Sequence, residues 1–260
     1  MREMIRERIT SRSNPLVSRV KRLRDQRAAR REEGMLLGEG PKLLQEALRW
    51  NGTPDTVICV QGVELPPLPP QTRVVEVPPD LLETMADTRA PQGILFLSRI
   101  PRQTMPEALT GDRYLILDGV QDPGNVGTIW RAADAFRADG LILCNGCADP
   151  WSPKTVRATM GAVFRLPAYE SGMAEAASGL ARAAIPLYAA ALSEPCLDVR
   201  KTDLSRSAVV IGSEGRGVSQ EALALCADTV RIPMTERCES LNAAVAAAVV
   251  LWEMGRDKLS

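Results

Sequence analysis

The last third of the chain holds three blocks whose residue types suit ligand chemistry. Val209-Val210-Ile211-Gly212-Ser213-Glu214-Gly215-Arg216-Gly217 is followed by Arg231-Ile232-Pro233-Met234 and by Glu239-Ser240-Leu241-Asn242-Ala243-Ala244-Val245-Ala246. Apolar, strand-like runs stop abruptly at glycine or small polar residues, and the third block opens an alanine- and valine-rich helix. Loops that meet at strand ends are how an open α/β sheet holds a small ligand. The glycine loop offers backbone groups, but it lacks the Gly-Lys-Ser/Thr ending of a Walker motif and the Gly-x-Gly-x-x-Gly dinucleotide fingerprint.

Upstream, Asp118-Gly119-Val120-Gln121-Asp122-Pro123-Gly124-Asn125-Val126-Gly127 reads as a strand end, a turn and a helix start. Gly124 and Gly127 let backbone approach a ligand, and Asn125 is suited to cap the helix. Val126, Ile129, Ala133 and Phe136 form its apolar stripe, leaving Arg131 on another face as a solvated or ion-paired arginine or a ligand contact. The chain has no histidine. That excludes Ser-His-Asp hydrolases, Cys-His proteases and histidine metal sites. Any general base must be a carboxylate, Lys, Tyr, Cys or an unusually placed Arg.

The elements that must position these residues follow from composition and periodicity. A chain of 260 residues is long enough for one large or two small domains. From Tyr114 onward, strands at Tyr114–Leu117, Leu141–Cys144, Leu187–Leu192, Val209–Ile211 and Thr229–Ile232 alternate with helices at about 125–137, 154–162, 173–184, 219–226 and 241–255. This pattern is α/β, a parallel sheet covered on both faces. Residues 1–105 read as a smaller α+β unit with strands at Val57–Val60, Val74–Val77 and Ile94–Leu97. Pro41 opens a helix carrying Leu44, Ala47 and Leu48 on one face, and the stretch from Ile100 to Gly111 reads as a linker to a unit at 111–260.

Charge totals cancel at 32 basic and 32 acidic residues, yet residues 1–31 hold eleven Lys/Arg against Glu3, Glu7 and Asp25. This segment therefore carries +8 and the rest −8. It reads as a basic arm for a polyanion, with Arg19, Lys21, Arg22 and Arg24 in a helical stretch from Leu16 to about Arg31; the alternative is a solvated amphipathic helix. No run approaches the roughly 18 apolar residues that span a membrane, and the N-terminus lacks a signal-peptide core. The six cysteines read as reduced thiols of a cytoplasmic protein. Cys144-Asn145-Gly146-Cys147 has knuckle spacing without a second pair, so no metal is expected.

Taken with Asn125-Val126-Gly127-Thr128-Ile129-Trp130-Arg131, the three C-terminal blocks resemble the SpoU (TrmH-like) family of RNA ribose methyltransferases, in the knotted SPOUT superfamily. The resemblance implies a C-terminal domain whose last segment is tucked through a loop as a deep trefoil knot. It also implies a homodimer with the active site near the interface, and an N-terminal L30e-like RNA-binding domain. The implied reaction moves a methyl group from S-adenosyl-L-methionine to a ribose 2′-hydroxyl in structured RNA, ribosomal ahead of transfer RNA. The alternatives are a non-catalytic RNA-binding protein of the same fold and a base-directed methyltransferase. Gly212, Ile232, Leu241 and Ala190 match positions that hold the cofactor, and Asn125, Arg131, Glu214, Ser240 and Asn242 match active-site positions. Arg131 stands as base or positioning group, with Glu214 as its expected ion-pair partner. Lys154 and Arg157, in Ser152-Pro153-Lys154-Thr155-Val156-Arg157-Ala158-Thr159, read as RNA-phosphate contacts, with Thr159 where serine is common.

Overall fold

The computed structural model describes residues 6–50, 52–101, 104–192 and 195–256. In chain order the elements are β1 (Arg6–Arg8), α1 (Pro15–Asp25), α2 (Arg27–Glu33), β2 (Met35–Glu39), α3 (Pro41–Arg49), β3 (Pro54–Val60), β4 (Arg73–Val77), α4 (Pro79–Met85) and β5 (Ile94–Arg99). Then come β6 (Arg113–Asp118), α5 (Pro123–Ala135), β7 (Gly140–Cys144), α6 (Pro153–Ala158), β8 (Ala168–Glu170), α7 (Met173–Arg182) and β9 (Leu187–Ala190). The chain finishes with β10 (Leu197–Asp198), β11 (Ser207–Gly212), α8 (Gln220–Leu225), β12 (Asp228–Arg231) and α9 (Ala243–Gly255). Two compact units result: Met1–Pro101 with Trp151–Arg165, and Arg102–Pro150 with Leu166–Ser260. The segment 151–165, placed by sequence in the second unit, groups with the first.

The first unit is a five-stranded sheet in the order β1-β4-β3-β5-β2, with β5 antiparallel to both neighbours. From Arg6 onward its basic N-terminal stretch is built into the fold. Asn14 accepts the Leu16 amide at 2.9 Å and Pro15 occupies the first turn, which starts α1. Leu16, Val17, Val20 and Leu23 of α1 then enter the core with Ile58, Val75, Leu82 and Leu97. The expected single helix breaks at Gln26, which is extended, and α2 ends on left-handed Gly34 at φ +62°. Pro41 opens α3 as its sequence suggests, with Leu44 and Ala47 fully buried.

The second unit is a seven-stranded sheet in the order β10-β12-β9-β11-β6-β7-β8, every pair parallel. Side chains alternate across it. Tyr114, Ile116, Val210 and Ala208 face Met173, Ala176 and Leu180 of α7 and Ala222 of α8. Leu115, Leu117, Val209 and Ile211 are equally buried and face the other way, where α5 and α9 pack together. The chain lays β7 and β8 to one side of β6, and β11, β9 and β12 to the other. A reversal of this kind leaves a crevice at the carboxyl edge of the strands.

The α5 stripe differs from its sequence reading at one position. Val126, Ile129 and Ala133 are buried with Trp130, whose indole N–H donates to the Leu166 carbonyl at 3.0 Å. Phe136 is only half-buried and meets the Trp252 ring edge-on, with centroids 5.9 Å apart. Replacing Trp130 by Ala should destabilise the protein by about 3–5 kcal/mol. Chemical denaturation measures this, and the loss should exceed that of Trp252→Ala, whose ring is exposed.

Candidate active site

Registers bring the strand ends into line: Gly212 pairs with Asp118, Asp118 with Cys144, Ile211 with Ala190, and Val230 with Ala190. The loops leaving these ends form the crevice. After β11 the chain turns back on itself. Ser213 N–H donates to Gly217 O at 3.1 Å, and Gly217 N–H returns a bond to Ser213 O at 2.9 Å. Gly217 takes φ +66°. A Cβ on Gly212 would lie 2.1 Å from the Gly217 carbonyl carbon, so only glycine fits there.

The folded-back loop walls two cavities. The larger, about 360 Å³, lies over β9, β11 and β12 and is lined by Ala190, Gly212, Ile232 and Leu241, together with Glu214 and Ser240. All four cofactor positions expected from sequence therefore share one cavity. Leu192, Met234 and Ala246 add apolar wall, and Arg216 and Arg231 add charge. The smaller cavity, about 290 Å³, is bounded by Asp118, Gln121, Asn145 and the other side of the same loop. Buried Asp118 fixes its floor, accepting from Asn145 Nδ2 at 2.7 Å and from the Ser219 amide at 2.7 Å. Ser219 in turn caps α8 through the Ala222 amide. Ser219 thus caps α8 as its place before the helix suggests, whereas the role of Asp118 goes beyond its reading as a strand end. The signal was present in a lone carboxylate ending an all-apolar strand.

One hydrogen-bonded row joins three of the five expected active-site residues. Asn125 Nδ2 donates to Glu214 Oε1, and Asn242 Nδ2 donates to Asn125 Oδ1 at 3.3 Å. Asn242 Oδ1 meanwhile accepts from the Ala244 and Val245 amides and caps α9, so that helix begins at Ala243 rather than Leu241. Asn125 does not cap α5; Asp122 does, accepting the Asn125 amide at 2.9 Å. That frees the Asn125 side chain for Glu214. The expected Glu214–Arg131 ion pair is absent, because Glu214 bonds Asn125 instead. Arg131 sits exposed on α5 with Thr128, lines neither cavity, and among the described residues has no hydrogen-bond or ion-pair partner.

The cations assigned to RNA are mostly engaged within the first unit. Arg19 and Arg22 both pair with Glu33, and Arg24 bonds Asp25 and the Thr84 and Ala86 carbonyls. Arg157 pairs with Asp87 at 2.7 Å, Lys154 is exposed on α6, and Lys21 is half-buried on α1. Thr159 is buried and donates to the Val156 carbonyl at 2.7 Å, a local bond that serine would also make.

The chain matches the SpoU rRNA Methylase family over residues 112–252 and the MRM3-like substrate binding domain over residues 14–95. It is 33% identical to an uncharacterised tRNA/rRNA methyltransferase of Synechocystis, across 96% of this chain and 94% of that one. It is 28% identical to a 23S rRNA guanosine 2′-O-methyltransferase of Bacillus subtilis, across 95% and 99%. The crystal structure of an AdoMet-bound rRNA methyltransferase from Sinorhizobium meliloti superposes with a TM-score of 0.85 at 31% identity, covering 98% of this chain and 99% of that one.

The Cys144–Cys147 turn has its own chemistry. Asn145 and Gly146 take φ +51° and +75°, and the Cys147 thiol donates to the Leu117 and Cys144 carbonyls. Burial pushes the Cys144 thiol up to about 12 and the Cys147 thiol up to about 11. Neutral thiols are poor nucleophiles and poor metal ligands. At pH 8, alkylation followed by mass spectrometry should label exposed Cys238 and leave Cys144 and Cys147 unmodified. Labelling at equal rates would contradict the burial.

Proposed function

The chain belongs to the SpoU rRNA methylase family, and from that premise we propose that it transfers a methyl group from S-adenosyl-L-methionine to the 2′-hydroxyl of a ribose in structured, ribosomal RNA. The observation that carries this reading is the Glu214–Asn125–Asn242 row, whose Glu214 also lines the cavity formed with Gly212, Ile232, Leu241 and Ala190.

The cavity suits that cofactor chemically. Its volume falls in the range of small-ligand sites, and its wall combines backbone groups of a glycine loop with apolar side chains. This matches an adenosine joined through a sulfonium to a methionine chain, with no phosphate. Gly212, Ile232, Leu241 and Ala190 would hold it. When bound, it supplies a methyl group on a positively charged sulfur, open to in-line attack by oxygen.

The residues then act mainly by position. With no histidine available, the 2′-hydroxyl proton would leave to a carboxylate such as Glu214 or to water as the oxygen takes the methyl group, and orientation of the acceptor carries much of the remaining acceleration. Asn125, locked between Glu214 and Asn242, keeps two amides and a carboxylate at fixed places beside the cavity. Ser240 adds a hydroxyl to its lining. A guanidinium normally stays protonated. Arg131 therefore suits holding the ribose oxygen or its neighbouring phosphate, and stabilising charge as the oxygen attacks.

The finer parts of the reading have separate support. A homodimer would cover Val245 and Trp252, apolar residues exposed on α9, and would bury the α5 face that presents Arg131. The trefoil knot is supported by the return of α9 from β12 to pack on β11 and α5. An L30e-like first unit is supported by its match to a substrate-binding domain, with Lys21, Lys154, Arg19, Arg22, Arg24 and Arg157 as candidate phosphate contacts. Free cysteines fit the cytoplasm.

Arg131→Ala should lower single-turnover methyl transfer by on the order of 100-fold or more while cofactor affinity holds. Arg131→Lys should fail as well, because an ammonium lacks the planar fork of donors. Near-normal transfer by Arg131→Ala would sink the catalytic assignment. Asn242→Asp separates two roles of one side chain. The carboxylate still caps α9, so thermal stability should hold. Transfer should drop sharply, since an acceptor now faces the Asn125 carbonyl oxygen.

A further inference from the structure

We propose that Trp50, flanked by Arg49 and Arg165, is a stacking platform for an unpaired nucleotide of the substrate RNA. The proposal rests on the RNA reading above and adds a recognition site within the first unit.

Trp50 terminates α3, its N–H bonded to the Glu46 carbonyl at 3.1 Å. Trp130 and Trp151 are fully buried, but Trp50 is 46% exposed. A large aromatic at a helix end, left half in water, contributes little to the core that α3 builds with Leu43, Leu44 and Ala47. Its surroundings are cationic. The Arg49 guanidinium carbon lies 5.6 Å from the ring centroid and that of Arg165 lies 5.8 Å away. Arg165 is fixed by its ion pair with Glu46, one turn back on α3. The segment 151–165 is held close there. A Cβ on Gly161 would lie 2.7 Å from Glu46 Cβ, and Gly161 takes φ +92°. Arg49 is exposed, and among the described residues its guanidinium has no ion-pair partner and lies over the ring.

Arg49 and Arg165 bring two guanidiniums to the ring, and Glu46 pairs with the second. An indole with a fixed cation beside it and a second cation able to swing away is the arrangement that single-stranded RNA uses. The base stacks on the π-face, and a flexible arginine takes the adjoining phosphate. A protein partner would need a wider apolar surface, and Met160 is the only other large apolar side chain exposed on the 151–165 segment.

Intrinsic tryptophan emission tests the idea with short single-stranded RNA and a duplex of equal length as probes. In a Trp252→Phe background, where Trp50 is the exposed indole and Trp130 and Trp151 are buried, emission should show saturable quenching by the single strand and little by the duplex. Trp50→Phe should bind nearly as well but lose that quenching, because its ring still stacks. Trp50→Ala should weaken single-strand binding by about tenfold while cofactor affinity stays unchanged. If RNA is bound and methylated but Trp50→Phe retains the quenching, or Trp50→Ala binds normally, the platform is refuted and the methyltransferase reading stands. Equal quenching by the duplex refutes the unpaired base. Quenching by an acidic peptide but not by RNA refutes the nucleotide as occupant. A wild-type protein that binds no RNA at all refutes both readings.

Discussion

The contact on which the site depends is the approach of the Gly217–Val218 backbone to Gly212. A side chain at 212 would overlap the Val218 nitrogen at 2.2 Å, so the chain can fold back over the end of β11 only because the residue there is glycine. The reciprocal Ser213–Gly217 bonds close that fold. Its consequences spread outward. The closed loop separates two cavities, carries Glu214 to Asn125, and delivers the Ser219 amide to buried Asp118. Strand end, cavity wall and polar row therefore rise or fall together.

Rigidity at this place has a chemical purpose. Asn242 and Asn125 each sit at a helix start, and each start is satisfied by a side chain: Asn242 by its own oxygen, Asn125 through Asp122. Side chains anchored to helix ends lose little freedom when a ligand arrives, which is what catalysis by orientation requires. A chain without histidine has few other means. Arg131, on the exposed face of α5 and without a hydrogen-bond or ion-pair partner among the described residues, is a cation able to meet a ligand.

Much of this was legible in the residues. Runs such as Val209–Ile211 and Leu141–Cys144 are apolar on both faces and bounded by glycine or polar turns, so β6, β7, β9, β11 and β12 are legible to within two residues, whereas β8 and β10 are not. The cavity wall was legible through the family resemblance: Ala190, Gly212 and Ile232 lie at or just beyond the ends of β9, β11 and β12, and Leu241 lies just before α9. Short or mixed pieces were not. Met35–Glu39 merges with the helix start at Gly40-Pro41, and Ala168–Glu170 is a three-residue edge. The basic stretch misled because its charge count hides Leu16, Val17, Val20 and Leu23, which fill the core. Capping also misled, since Asp122 and Asn125 are both good caps and only the turn geometry chose Asp122. The partner of Glu214 and the exposed Trp50 depend on tertiary contacts that no local pattern encodes.

The most direct test is to locate the transferred methyl group. Ribosomal RNA incubated with the protein and tritiated S-adenosylmethionine would be digested with alkali, which cleaves a linkage only where the 2′-hydroxyl is free to attack the neighbouring phosphate. Label in alkali-resistant dinucleotides is the predicted result, since a 2′-O-methyl group blocks that attack. Label released as mononucleotides would place the methyl on a base and contradict the account, as would cofactor binding with no transfer at all.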